Sequence, residues 1–281
     1  MKAHQGQYPV SEMCRALHVS RSGYYGWRAA SERPRARSNA RLDAEIQQVY
    51  QSHLGRYGSP RVTRVLQGRA IACSENRVAR RMRALGLAAR IKPAFVPRTT
   101  DSRHGGPVCP NLLLHRAAPR QAHEVWLSDI TYIATRQGWL YLAGFLDLAT
   151  RRLVGWSVGP TLEADLVCQG LRAARQRCRP RAGLIIHSDQ GGQYASDVYR
   201  QLLSQIRAKP SMSRRGNCYD NATMESFWST LKAECLTGAP PATHQLARQM
   251  IFEYIETYYN RVRLHSSLGY QSPVDFEKQL S

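Results

Sequence analysis

Apolar positions change character once along this chain of 281 residues: up to about residue 90 they recur at helical spacing, and from residue 124 they form short continuous runs. The opening stretch PVSEMCRALHVSRSGYYGWR puts Val10, Met13, Cys14 and Leu17 on one helical stripe, breaks at His18-Val19-Ser20, and resumes in an element ending at Tyr24, Tyr25 and Trp27. That spacing suits a helix-turn-helix over 1–30, and equally any small helical hairpin. A basic connector, SERPRARSNAR, follows. A second helical unit is expected over 38–90, where Leu42, Ile46, Val49 and Tyr50 form a stripe that Gly55 and Gly58 interrupt. Two more helices follow, the second with Ser74 as N-cap, Gly86 as stop, and Val78, Met82 and Leu85 as its buried side. Residues 91–123 hold five prolines and little periodicity, and read as a basic linker between domains.

From residue 124 the pattern is that of strands. EVWLSDITYIA, WLYLAGFLDLA and RLVGWSV are β-branched and aromatic runs separated by tight turns, which predicts an antiparallel meander. A helix over 163–178, the short run GLIIH, a helix near 196–206, a short segment around Met212, and a helix within GNCYDNATMESFWSTLKAE follow. Three hairpin-linked strands and then alternating helices and strands make a layered α/β domain over 124–240. The long helical pattern from 242 to 264 reads as a separate C-terminal extension, 241–281.

Charge sharpens this division. The net charge is +20, and residues 1–120 hold 22 Lys or Arg against 6 Asp or Glu, while 121–281 hold 18 against 14. The N-terminal part therefore suits a polyanion, and double-stranded DNA is the expected partner. Arg77, Arg80, Arg81 and Arg83 flank the apolar stripe of their helix and are the candidate DNA contacts; a solvated Arg-rich face is the plain alternative. Seven cysteines without a C-x-x-C pair argue against a thiolate zinc site and a disulfide framework. With no long apolar span and no signal-like N-terminus, the expectation is a cytoplasmic protein.

Three acids stand out against their surroundings. Asp129 interrupts an apolar strand, and aspartate is a poor strand former that is rarely buried unpaired. Asp189 follows the fourth apolar run in IIHSDQGGQY, where glycines permit close approach of a ligand. Glu225 shares a helix face with Asn221, Trp228 and Lys232, beside an apolar face of Met224, Phe227 and Leu231. Each has a plain reading: a strand residue capping a turn, a loop residue bonding its own backbone, a solvated helix position. Drawn together, they would repel one another unless a cation neutralised them, and hard oxygen ligands suit Mg²⁺ or Mn²⁺ in phosphoryl transfer. Among the other acids, Asp147 is assigned to shaping the end of strand two, Asp220 to capping the helix near Asn221, and Glu234 to solvent. A DNA-binding regulator would not need the three acids, a nuclease or resolvase would keep them without strand transfer, and a chromatin-type protein would not need the strands.

The motifs WLSDITYI, GWLYLAGFLDLATRRLVGWS, HSDQGGQY, SMSRRGNCYDNATMESFWSTLKAE and YIETYYNRVRLHSSLGYQSP together resemble OrfB-type transposases of the insertion-sequence family IS-three, within the D-D-E transposase and retroviral integrase superfamily. Thirty-five residues separate Asp189 from Glu225, the spacing typical of that family. The resemblance implies a ribonuclease H-like catalytic core over 124–240, preceded by an all-helical helix-turn-helix region. It implies two divalent metals held by Asp129, Asp189 and Glu225, strand cleavage at element ends, and transfer of the exposed 3′-OH to a second phosphodiester. By the same resemblance Lys232 contacts DNA, the chain acts as a homo-oligomer on DNA, and an upstream-frame OrfA product is its fusion or partner. Gln190 and Gly192 stand where many relatives have a basic residue and a serine, and the zinc module of retroviral integrases is missing.

Overall fold

The chain forms two units, Met1–Arg90 and Ile91–Ser281. The computed structural model describes residues 1–30, 34–90, 107–214 and 221–280.

In the first unit, α1 (Val10–Ala16) and α2 (Arg21–Ala30) form the expected short pair, with Met13, Cys14 and Tyr24 buried. Ser20 receives the Gly23 N–H at 2.9 Å, satisfying one of the unpaired donors at the start of α2. Helix α3 (Pro34–Ser52) already includes Pro34, four residues before the expected start; proline in a first turn forfeits no helical hydrogen bond. It buries Leu42, Ile46 and Val49 against α4 (Ser59–Gly68) and α5 (Glu75–Ala84), which contribute Val62, Leu66, Val78 and Met82. Ser74 caps α5 by accepting from Arg77 N–H.

In the second unit, five strands are ordered β3-β2-β1-β4-β5: β1 (Val125–Thr135), β2 (Gly138–Asp147), β3 (Leu153–Gly159), β4 (Ile185–Ser188) and β5 (Lys209–Met212). The first three form the antiparallel meander, and β4 and β5 extend it in parallel. Alternation along the strands makes two cores. One face is covered by α6 (Ala164–Cys178) and α8 (Asp197–Gln205) over Trp126, Phe145, Val154 and Ile186. The other is covered by α9 (Ala222–Cys235), α10 (His244–Phe252) and the π-helical stretch Glu253–Tyr259 over Leu127, Leu140, Leu142 and Leu153.

Two expected boundaries need correction. Residues 107–123 are not linker: Leu112 and Leu113 pack on the sheet core, and Leu112 N–H donates to Ser211 Oγ at 2.8 Å. Residues 91–106 of the expected linker lie outside the described residues. The C-terminal region is no separate extension either, because Ala247, Ile251, Tyr254, Ile255 and Tyr259 complete the core beneath β1 and β2. Asn260 fastens it to β3, accepting from Leu153 N–H at 3.0 Å and donating to Leu153 O at 3.1 Å. The apolar stripe of 244–259 has nowhere to be buried except the sheet face that α9 leaves open.

Candidate active site

Leu127 of β1 pairs with His187 of the parallel strand β4, which ends at Ser188. Carried two residues further, that register sets Asp189 beside Asp129, on the sheet face that Leu127 occupies. On its other side Asp129 pairs with Gly144 of β2. A Cβ at Gly144 would stand 2.8 Å from Trp228 Cη2 and 2.9 Å from Met224 Cε, so the bare backbone is what lets α9 lie this close.

Helix α9 reaches the site through an unforeseen contact. Trp228 is buried, and its Nε1–H donates to Asp129 Oδ2 at 3.0 Å; Ile130 N–H donates to Oδ1 at 2.8 Å. Met224, Phe227 and Leu231 are buried as expected, and Glu225, one turn before Trp228, is exposed. Asp189 is held from its own loop by Gly191 N–H at 3.0 Å, and the neighbouring Gln190 donates to Ser213 O at 3.1 Å.

The carboxylates act on one another. Burial pushes the Asp129 carboxyl up to about 7, with the Asp189 charge second; the Ile130 and Trp228 donors pull it down, and the Glu225 charge adds a smaller upward push. An acid so destabilised in its ionised form, despite two donors, has no sufficient counter-charge among the described residues. Among the described residues no three His, Cys, Asp or Glu side chains stand as a closed cage for a metal ion. Asp129 and Asp189 make the close pair, and Glu225 reaches Asp129 through its charge. Carboxylate oxygens in excess fit a hard divalent cation such as Mg²⁺ or Mn²⁺.

Two tyrosines join the site that composition and spacing did not single out. Tyr194, on α7 (Gly192–Ala195) just beyond the glycine loop, is buried behind β1 with its hydroxyl 3.0 Å from Ser128 Oγ. Burial, then the Asp129 and Asp189 charges, hold its phenol well above the ordinary value. Tyr132 is raised by burial, by Tyr141, and then by Asp189 and Asp129. The quoted motifs contain both residues, but period-two alternation alone gives a strand tyrosine no role.

The remaining assignments divide. Asp147 is fully buried and shapes the β2–β3 turn, accepting from His123 N–H at 2.6 Å and from Thr150 N–H at 2.8 Å. Glu234 is not solvated: Arg263 donates to it at 2.7 Å and Tyr254 OH at 2.9 Å, all three buried. Asp220 lies outside the described residues. Lys232 is half-buried, two turns beyond Glu225 on α9. Arg77 and Arg81 are not free on α5. Arg77 donates to Ser38 Oγ at 2.9 Å and Asn39 Oδ1 at 3.0 Å, and Arg81 Nε to Asp43 Oδ1 at 2.7 Å. Those two positions are one turn apart and face α3, whereas Arg80 and Arg83 are exposed.

Two integrase core domain models match the chain, at residues 119–218 and 206–273, and an HTH-like domain model matches 37–95. The HTH-like match therefore falls on α3–α5 and not on 1–30. The insertion element IS600 uncharacterized 31 kDa protein of Shigella sonnei is 43% identical over 267 residues, 95% of this chain and 98% of that protein. Transposase InsF for insertion sequence IS3A of Escherichia coli is 38% identical over 281 residues, covering 99% and 97%. Among solved structures, a simian T-cell lymphotropic virus intasome is similar at 11% identity and TM-score 0.47, over 83% of this chain and 74% of that one. The HTLV-2 integrase catalytic core in complex with magnesium is similar at 10% identity and TM-score 0.42, over 56% and 97%. By its full-length relatives and by integrase core matches spanning the sheet and its C-terminal helices, the chain belongs to the IS3 (IS-three) family of insertion-sequence transposases.

Proposed function

We propose that this protein is a metal-dependent D-D-E transposase that cuts DNA at the ends of its element and joins the exposed ends to a new phosphodiester. What supports the reading is the close pair of Asp129 and Asp189, the Glu225 charge that reaches Asp129 from α9, and the upward push on the Asp129 carboxyl.

In this reading Asp129 would hold the cations from within β1, Asp189 from just beyond the end of β4, and Glu225 from α9. Trp228 and Ile130 fix the orientation of the Asp129 carboxylate, and Gly144 fixes how closely α9 approaches. Two bound Mg²⁺ or Mn²⁺ ions would supply Lewis acidity to the attacking and leaving oxygens of an in-line displacement. Water attacks the scissile phosphorus in the first step, the bond to the 3′ oxygen breaks, and a 3′-OH is released. That hydroxyl attacks a second phosphodiester, forming one P–O bond as another breaks, so bond number is conserved without a covalent enzyme intermediate. Joining the two ends of one strand in this way leads to a circular form of the element.

Double-stranded DNA is the substrate: the terminal repeats are held by the helical unit through Arg80 and Arg83, and Lys232 approaches the strand near the acids. Arg77 and Arg81 set the pose of α5 on α3. Pairing two ends calls for a homo-oligomer on DNA, with an upstream-frame OrfA product as fusion or partner. A cytoplasmic site of action suits these substrates, and among the described residues no helix is long and apolar enough to cross a membrane.

The test is incubation of the full chain with labelled DNA from the sequences flanking its coding region, with Mg²⁺ or Mn²⁺, alongside Asp129→Ala, Asp189→Ala and Glu225→Ala. Nicked and joined products are expected from the wild type alone. Unchanged activity in any of the three variants would remove that acid from the shared metal site.

A further inference from the structure

On the sheet face opposite α9, the far end of the β1–β2 hairpin carries three aromatic rings. Tyr132 and Tyr141 are cross-strand partners with ring centroids 5.1 Å apart, and Tyr132 meets Trp139 edge-on at 6.2 Å. Strand alternation puts all three on the side of Trp126, Ala143 and Phe145. Tyr141 packs at the margin of that core, whereas Trp139 belongs to neither core and is 57% exposed. The hairpin tip is held in place: Arg136 N–H donates to Pro241 O at 2.9 Å, and Gln137 Oε1 accepts from His244 N–H at 2.8 Å. A fixed strand pair thus presents a large flat ring to solvent.

The row runs away from the acids along β1 on the other face of the sheet. Strand β4 pairs with β1 only as far as Leu127, so this stretch of β1 is an edge that a DNA strand can round, and the Asp189 and Asp129 charges reach Tyr132. Tyr132 lies three residues beyond Asp129 on β1, and Trp139 pairs with Ala134, five residues beyond it. At about 3.4 Å per strand residue the row runs from about 10 to about 17 Å from Asp129. Nucleotides in a stacked strand rise about 3.4 Å each, so a strand that rounds the β1 edge from a phosphate held at the acids reaches the row no sooner than roughly the third to fifth nucleotide. One indole and its flanking phenols fall well short of the ~800 Å² that a stable dimer buries on each partner. Residues 121–281 are themselves net basic, 18 Lys or Arg against 14 Asp or Glu, and the proposed substrate of the nearby acids is DNA, which favours a nucleic acid as occupant.

We propose that Trp139, backed by Tyr132 and Tyr141, is a stacking platform for the bases of unpaired DNA beside the strand being cut. The proposal rests on the DNA-cleaving role of the neighbouring acids. Aromatic rings stack on any base, so the platform selects single-stranded or frayed DNA without selecting sequence. It would hold the flank of the element end open while the acids act on the phosphodiester.

The test uses the full chain carrying Asp129→Asn, which stops cleavage, and two probes. One is a duplex with a short single-stranded tail containing 2-aminopurine, and the other is the same duplex with a blunt end. Quenching of the tail probe is expected, with loss of the quench and about tenfold weaker binding of tailed DNA in Trp139→Leu. Blunt-duplex affinity and melting temperature should stay unchanged, and Trp139→Phe should restore most of the preference for tailed DNA. A quench and a tail preference that survive in Trp139→Leu would overturn the platform, as would a change of oligomeric state without DNA in that variant. Cleavage by the wild type is scored separately. Tail stacking that follows Trp139 in a chain that never cleaves DNA upholds the platform and sinks the catalytic reading; cleavage with no Trp139 effect does the reverse.

Discussion

The two ends of α9 carry the same residue type and treat it in opposite ways. Glu234, near its C-terminal end, is buried against Arg263 and Tyr254, so its charge is matched and each of its oxygens has a donor. Glu225, in the first turn, is exposed and adds negative charge to Asp129, whose carboxyl is raised by burial and by the charges around it. One acid is structural because its partner is built into the chain. Asp129 suits a functional role because burial and the Asp189 and Glu225 charges push its carboxyl up, which a cation from outside would relieve. Close carboxylates that repel one another cost stability, and a bound cation can repay that cost.

This contrast can be broken most severely at the site itself. Asp129→Asn should lower DNA cleavage about 10³-fold or more, since it removes a carboxylate proposed to hold the catalytic cation; single-turnover assays with Mg²⁺ check this. At the other end, Glu234→Ala strands the Arg263 guanidinium in the core. The expected loss is about 3–5 kcal/mol, read by urea unfolding, and an apolar pair in Glu234→Met with Arg263→Leu should recover most of it. If Glu234→Ala left stability intact while abolishing metal response, the two ends of the helix would have to exchange roles.

A smaller effect links the two ends through packing. Gly144→Ala drives a methyl into Trp228 and Met224. It should cost about 1–3 kcal/mol and weaken the rise in melting temperature on adding Mg²⁺, because α9 is displaced from Asp129.

The pH dependence of the metal-free protein gives the finest discrimination. The Asp129 carboxyl is raised to about 7 from an ordinary 3.8, so the folded state holds a proton that the unfolded state has released between those values. Its contribution to stability is therefore fully present below about pH 4 and lost as pH rises through 7. Asp129→Asn should melt about 3 °C higher than wild type in EDTA at pH 8, with the gap closing towards pH 4. Mg²⁺ at pH 8 should reverse the order, since only the wild type gains a ligand.

Much of this was open to reading from residue pattern. The β1–β2–β3 meander follows from aromatic and β-branched runs around tight turns, and Asp129 was conspicuous because nothing else in its strand was charged. Ser74 was readable as a cap because its chemistry is local to α5. Pattern reading failed where the partner is distant in the chain. Trp228 and Asp129 are 99 residues apart, Arg77 and Asn39 38, and Arg263 and Glu234 29. Helical periodicity correctly placed Arg77 and Arg81 beside the apolar stripe, but that flank is where α3 supplies Asn39 and Asp43.

The sequence by itself determined which segments are helices and strands, which acids are out of place among apolar neighbours, and where the positive charge is concentrated. These depend on local periodicity and composition, which one strand or one helical turn already expresses. Only the tertiary structure decided which charges are matched and which are left open. The energy of a buried charge depends on what long-range packing brings to within hydrogen-bond distance of it, and that separates Glu234 from Glu225 on one helix.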